Sequence, residues 1–317
     1  MNKGIFYIIL SGLCFIIVNF FVKLLGAGDD QYLIDNLQKY PAHELVLARS
    51  IVSFAISLFI IKQRKLPVFG VNKKWLLIRG LSGTIALTTF FYTIHHLPLA
   101  IAATVQYLAP IFTILLAMII LKEKVKVTQW LFVSISFLGV GLIALSKIWM
   151  ASSGEDEISF FWIGLGTLAA AFSGLAYTAI VKLKDTDAPI TIVFYFPMLA
   201  MPFMIFLCLF DFTYPKGIEW LFLLLIGIFT QFAQILMTKA LHSGSASTIT
   251  PFQYLGAIYA FLVGYFLFNE TLSLIVDIGI TLVIAGVFVN ALLMRKKYPP
   301  STAIDNKITF RTKRVNR

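Results

Sequence analysis

Two glutamine–tyrosine pairs lie inside apolar stretches of this chain, where polar side chains are rare. They are Gln106-Tyr107 and Gln253-Tyr254, and a leucine follows each pair. An amide both donates and accepts hydrogen bonds, and tyrosine joins an apolar ring to a hydroxyl, so the pairs suit a small polar ligand. The same groups could instead hydrogen-bond between helices or anchor at an interface. We interpret all four residues as candidates for lining a binding cavity.

Proline accompanies both pairs. Pro110 follows Gln106, and Pro251 precedes Gln253. A proline inside a helix leaves one carbonyl without its backbone donor and permits a kink. Kinks beside polar side chains favour a cavity that can open and close, although a single proline is also common as a packing kink.

Arg49 is the most informative charge, because it lies several residues inside an apolar run that begins near Glu44. A guanidinium can bind a carboxylate or a phosphate through two parallel hydrogen bonds. It can also extend to the membrane interface or pair with a glutamate. Other polar residues inside apolar runs are further candidates for the cavity: Asn19, Tyr92, Tyr177, Gln231 and Gln234.

The chain lacks the residue sets that catalysis requires. We find no Ser/His/Asp set, no paired carboxylates within an apolar run and no histidine-rich metal spacing. A phosphate-binding glycine loop is also absent, which excludes an ATP-driven pump within this chain. Cys14 and Cys208 lie apart in apolar runs. We therefore predict no catalytic residue, no metal site and no cofactor.

Composition indicates a lipid environment. Hydrophobic residues make up 59% of the 317 residues, charged residues make up 13%, and the mean hydropathy is +0.88. A soluble domain carries about 25% charged residues. The net charge of +11 comes from short loops and the final segment rather than from a basic face with interleaved aromatics, so we expect no nucleic-acid partner.

Ten apolar runs are long enough to cross the hydrocarbon core as helices. They are 4–26, 45–61, 75–94, 98–121, 127–147, 160–181, 190–210, 219–240, 246–268 and 274–294. Alternate loops collect lysine and arginine, whereas the others collect Asp29, Asp30, Glu155 and Asp211. Because cytoplasmic loops are basic, both termini are predicted inside, N-in and C-in. The fold class is therefore an all-α integral membrane protein with ten transmembrane helices.

The two halves of the chain resemble each other at a fixed offset of 147 residues. Gln106-Tyr107-Leu108 then aligns with Gln253-Tyr254-Leu255, Glu123 with Glu270, and Gly80 with Gly227. Each half holds five runs, so the second half must enter the membrane in the opposite orientation. We predict two inverted five-helix repeats, 1–147 and 160–294, joined by an outer linker, 148–159, and followed by a basic cytoplasmic tail, 295–317.

Small residues spaced four apart predict close helix contacts. One such ridge in the sixth run comprises Gly166, Ala170 and Gly174, and another in the ninth run begins at Gly256.

The ordered set of motifs resembles the drug/metabolite transporter superfamily, specifically its EamA-type members, over about residues 4–294. The residues that carry the resemblance are Ser11-Gly12, Lys23, Arg49, Arg79-Gly80, the stretch 96–100 with Ala109-Pro110, Glu123 and Glu270. This resemblance implies a ten-helix carrier with a central cavity. It implies a small-molecule substrate but not which one, because relatives move amino acids, nucleosides and other compounds.

The leading hypothesis is thus a secondary transporter of small metabolites in the cell inner membrane, with the lipid bilayer as its partner and export as the expected direction. The sequence leaves proton coupling, counter-substrate exchange and facilitated diffusion as alternatives. The competing hypothesis is a membrane-embedded receptor or enzyme without transport activity.

Overall fold

The computed structural model describes residues 3–26, 37–97, 99–124, 160–244 and 249–268, together with isolated positions within 127–142 and 274–285. Every regular element in this part of the chain is helical. The first half contributes five helices: α1 (Lys3–Gly26), α2 (Ala42–Gln63), α3 (Lys73–His96), α4 (Leu99–Gln106) and α5 (Ala109–Ile120).

The second half begins with α6 (Phe160–Lys182), α7 (Pro189–Cys208) and α8 (Glu219–His242). A short 3-10 helix (Thr250–Tyr254) then leads into α9 (Leu255–Phe268). The predicted linker 148–159, the tail 295–317 and most of the fifth and tenth predicted runs lie outside the described residues.

Six of the described helices are long and apolar enough to cross a membrane: α1, α2, α3, α6, α7 and α8. They coincide with the first, second, third, sixth, seventh and eighth predicted runs. Their outer faces carry large apolar side chains, among them Phe59, Phe206 and Phe232, while Ser11, Arg49 and Arg79 are buried. Exposed phenylalanines around buried polar groups suit a lipid solvent, in which an apolar surface is favourable.

The fourth predicted run, 98–121, is two helices rather than one. Helix α4 ends at Gln106, residues Tyr107 and Leu108 form a turn, and α5 begins at Ala109. Pro110 has no N–H, so the carbonyl of Gln106 cannot receive the usual helical hydrogen bond. Just before it, the Leu108 amide donates to the Val105 carbonyl at 3.0 Å, which lies three residues back rather than the four of an α-helix, so the turn is tighter.

The ninth predicted run, 246–268, is interrupted in a comparable place. Its 3-10 helix contains Pro251, Gln253 and Tyr254, and the α-helix starts only at Leu255. The repeated Gln-Tyr-Leu motif therefore lies at a helix interruption in both halves of the chain.

Most close packing joins helices of different halves. Helix α3 packs along α6, and α1 packs along α8. Helix α2 packs against α7 and α8, α3 also packs against α7, and α4 packs against α9. Among the described helices, neither half forms a separate bundle, and the space between the halves becomes the centre of this part of the molecule.

Polar contacts fasten each end of the bundle. At the end that carries Arg64 and Lys65, the Asp187 carboxylate accepts hydrogen bonds from the amides of Val71 (2.6 Å) and Asn72 (3.2 Å). At the opposite end, the Glu219 carboxylate accepts hydrogen bonds from the backbone amide of Gln38, at 2.7 Å, and from the Tyr40 hydroxyl. These contacts tie the loop before α3 to the loop before α7, and the segment before α2 to the start of α8.

Candidate functional site

A cavity of about 130 Å³ lies at the centre of the bundle, between helices of both halves. Apolar and small side chains form much of its wall. Its polar side chains are those of Ser11, Asn19, Arg49, Arg79, Gln106, Tyr107, Ser173, Tyr177, Gln234 and Gln253. A mostly apolar wall with a few polar groups is the usual composition of a small-molecule site.

The helix interruption in the first half places Gln106 at the cavity. Its Nε2 donates to the Ser173 hydroxyl of α6 at 2.7 Å, whereas its Oε1 is buried without a hydrogen-bond partner among the described residues. Tyr177, one turn after Ser173, lines the same cavity. One amide oxygen is therefore left for a ligand while the rest of the group is held in place.

The interruption in the second half places Gln253 at the same cavity. Its Nε2 is buried and has no partner within the described residues. An unused acceptor on Gln106 and an unused donor on Gln253 together can bind a ligand that both donates and accepts hydrogen bonds.

Tyr107 packs across the boundary between the halves. Its hydroxyl lies against Gly256 at the start of α9, where even a Cβ atom would overlap it. Glycine at this position lets the turn after α4 approach α9 closely. The side chain of Tyr254 lies outside the described residues.

Arg49 is fully buried in α2 and lines the cavity. Its Cζ lies 5.0 Å from the ring centroid of Phe196 and 5.7 Å from that of Phe91, distances at which a cation is attracted to a ring face. Its three guanidinium nitrogens have no hydrogen-bond partner among the described residues. Arg49 thus neither reaches the interface nor pairs with Glu44, whose Oε2 accepts from the Thr213 amide at 2.9 Å.

Arg79 is a second buried cation at this cavity, and sequence reasoning did not select it as a site residue. Its Nη2 donates to Gln234 Oε1 of α8 at 2.8 Å, and its Nε is buried without a partner. The signal was available, because Arg79 lies inside the third apolar run just as Arg49 lies inside the second. Ser11 and Ser173, which also line the cavity, carried no comparable signal.

Two of the predicted cavity residues lie elsewhere. The Gln231 Nε2 donates to the Ser57 hydroxyl at 2.8 Å and thereby joins α8 to α2. The Tyr92 hydroxyl lies 3.2 Å from His43 Nδ1, in a polar cluster toward the end of the bundle that carries Glu44. Both are absent from the cavity wall, whereas Asn19, Tyr177 and Gln234 belong to it.

Across the described part of the chain, His, Cys, Asp and Glu nowhere form a group of three or more that could hold a metal ion. The two cysteines are free thiols, far apart in α1 and α7.

Comparison with known proteins yields one family in both halves. The model of the EamA-like transporter family matches residues 2–145 and again residues 160–292. The pseudopaline exporter CntI of Pseudomonas aeruginosa is 27% identical over 288 residues, which cover 90% of this chain and 95% of that protein. The human solute carrier family 35 member G1 is 28% identical over 278 residues, or 84% of this chain and 73% of the relative.

A crystal structure of another protein has a similar fold. Its TM-score is 0.65, with 16% sequence identity, over 94% of this chain and 98% of that chain.

Proposed function

The chain belongs to the EamA-like transporter family, and from this premise we propose that it is a secondary transporter of small polar metabolites. Amino acids, nucleosides or related compounds are the proposed substrates, and alternating access is the proposed mechanism. The observation that carries the proposal is the cavity between the two halves, where both interrupted helices present a glutamine with an unused hydrogen-bonding group.

Interrupted helices at a midplane cavity suit transport for a physical reason. Backbone groups freed from helical hydrogen bonds are tolerated inside a membrane only where protein or a cavity surrounds them. The two interruptions also allow α4 and α5, or the 3-10 helix and α9, to change their angle without breaking a continuous helix. A cavity wall that contains them can therefore open toward one side at a time.

We propose further that the molecule consists of two inverted five-helix repeats, with ten transmembrane helices in all. The pattern of contacts supports this architecture. If each helix is replaced by its counterpart in the other half, the pair α3–α6 becomes α8–α1, and the pair α2–α8 becomes α7–α3. All four of these pairs pack closely. Two separate matches to one family model, each covering one half, support it as well.

The proposed direction is export across the inner membrane of a bacterial cell. The similarity to a protein named as an exporter supports the direction, and the basic end of the bundle, which carries Arg64, Lys65 and Lys73, supports the orientation. Proton coupling, exchange with a counter-substrate and facilitated diffusion down the substrate gradient are all compatible with this proposal, since the sequence contains no nucleotide-binding loop.

Flux into proteoliposomes tests the proposal. Purified protein is reconstituted, and uptake of labelled amino acids, labelled nucleosides and a cationic dye is measured. We expect uptake of at least one class, and we expect the double variant Gln106→Ala/Gln253→Ala to lower it by about 100-fold, because two hydrogen bonds of about 1.5 kcal/mol each are lost.

The matched control is Gln63→Ala, at the exposed end of α2, which should transport as the unaltered protein does. If no class of probe is transported, the competing hypothesis of a receptor or enzyme is favoured. If the double variant inserts at normal levels and retains full flux, the glutamines are not part of the binding site.

A further inference from the structure

Two arginines at the cavity carry unused hydrogen-bonding groups. Arg49 is fully buried, and Arg79 is 2% exposed. Three nitrogens of Arg49 and one of Arg79, four in all, are buried without a partner in the part of the chain that the structure describes. Such groups are costly inside a protein, because an unpaired charge and its N–H donors have lost their water.

The cavity wall supplies no counter-ion for them. Arg49 and Arg79 are the charged residues among its described members, and none of those members is acidic. The two guanidinium groups line the same cavity. A structural ion pair therefore does not explain why both are buried.

Neutral groups hold the two side chains in place. The rings of Phe91 and Phe196 flank Arg49, and the amide oxygen of Gln234 accepts a hydrogen bond from Arg79. Gly83, one turn after Arg79, leaves the space that its Nη1 occupies. These contacts position both cations but leave their charge uncompensated.

We propose that the transported metabolite is an acid, and that its carboxylate or phosphate binds between Arg49 and Arg79. This inference rests on the proposed transport function and names the substrate class of the same cavity. Guanidinium groups match oxyanions geometrically, and four unused N–H-bearing nitrogens can satisfy an oxyanion that has several lone pairs. The polar remainder of the metabolite then meets the Gln106 oxygen and the Gln253 nitrogen.

Among the described cavity residues, both charges come from the first half of the chain. At the offset of 147 residues, Arg49 corresponds to Phe196 and Arg79 corresponds to Ile226. Arg49 packs against its own counterpart, Phe196, at 5.0 Å. The acidic group is therefore held on the side of α2 and α3, and the substrate binds in a single orientation.

Flux of probes that differ in charge tests the inference. Proteoliposomes containing the full-length protein are given labelled glutamate, succinate and uridine monophosphate, then uridine and glucose, and finally putrescine. We expect transport among the acidic probes, and we expect Arg49→Gln and Arg79→Gln each to reduce it by at least about 30-fold, because each removes one partner of a buried charge pair.

Two variants serve as controls. Arg64→Gln removes an exposed cation outside the cavity and should leave flux unchanged. Arg49→Lys keeps the charge but loses the paired donors, so its flux should lie between those of Arg49→Gln and the unaltered protein. Transport of uridine, glucose or putrescine that persists in Arg49→Gln and Arg79→Gln would overturn the acidic substrate while leaving the transport function in place.

A binding measurement separates the two proposals if no probe crosses the membrane. The unfolding midpoint of the purified protein is recorded with sodium succinate and with sodium phosphate, against sodium chloride at equal ionic strength. A rise in the unaltered protein that disappears in Arg49→Gln and Arg79→Gln supports the oxyanion site even without flux. No rise with either anion, together with no acidic flux, overturns it.

Discussion

Gly83 shows how one missing side chain serves the cavity. It lies one helical turn after Arg79, and a Cβ atom there would overlap Nη1 of that arginine and come within 3.2 Å of the Phe196 ring. The guanidinium therefore occupies the space that any other residue would fill. Gly83 controls where the charge of Arg79 lies without itself carrying a polar group.

We expect Gly83→Ala to reduce transport by at least about tenfold, because an arginine displaced by about 1 Å no longer meets a bound group in the required geometry. The measurement is initial flux as a function of probe concentration. Gly164→Ala in α6 is the matched control, since nothing lies within 4 Å of a Cβ atom at that position. Equal flux curves for the two variants would contradict this positioning role for Gly83.

At the residue scale, the sequence predicted the cavity in part. Gln106, Gln253 and Arg49 were identified because a polar group inside an apolar run needs a partner or a ligand. The same reasoning also selected Gln231 and Tyr92, which the described cavity wall does not include, because position along a helix does not tell which neighbour a side chain meets. Gln231 meets Ser57 instead, and Tyr92 meets His43.

The helices α5 and α6 approach each other closely beside the cavity. A Cβ atom at Gly174 would lie 2.9 Å from the Thr113 amide nitrogen and would also press on Phe112. Thr178, one turn later, places its hydroxyl 3.4 Å from the Thr113 carbonyl. A larger residue at position 174 would meet backbone atoms that cannot rotate away, so the spacing of the two helices depends on glycine.

We expect Gly174→Ala to destabilise the protein by about 1–3 kcal/mol, because overpacking at a rigid contact forces the backbone to shift. The unfolding midpoint in detergent is the measurement, and Gly164→Ala again provides an alanine substitution on the same helix in open space. A midpoint for Gly174→Ala as high as that of the control would mean that α5 can move away without cost.

At the element scale, hydropathy predicted six continuous helices closely. The predicted run 219–240 is observed as Glu219–His242, and the run 75–94 as Lys73–His96. Hydropathy could not predict that the run 98–121 divides, because apolar content does not report missing backbone hydrogen bonds. Pro110 was the signal that a helix would bend there, but the position of the turn at Tyr107 and Leu108 required the structure.

At the scale of the whole molecule, the proposed inverted repeat explains why the halves interlock instead of forming two bundles. Each helix pair that joins the halves has an exchanged counterpart, as α3–α6 has α8–α1. In such a molecule, each half can adopt the conformation that the other half has. The two resulting states would have similar energies, and alternating access requires such a pair of states. The family model matches residues 2–145 and 160–292 separately, which is one observation that supports the proposed repeat.

The uncompensated charge of the cavity also bears on the whole cycle. Closing an empty cavity around Arg49 and Arg79 removes the remaining water from two cations, whereas closing it around a bound oxyanion does not leave them unpaired. In the proposed cycle, substrate binding therefore contributes to the closure that must precede opening on the other side. If the substrate is the proposed acid, the step that drives closure lies at the cavity rather than at the loops.

The opposed orientation of the two halves is tested most directly by labelling from one side of the membrane. Cys14 and Cys208 are first replaced by serine, and Glu123→Cys and Glu270→Cys are then introduced one at a time, at equivalent positions of the two repeats. With a membrane-impermeant maleimide, we predict that Glu123→Cys reacts only from the cytoplasmic side and Glu270→Cys only from the opposite side. Reaction of both from the same side would contradict the inverted repeat and the alternating-access mechanism that depends on it.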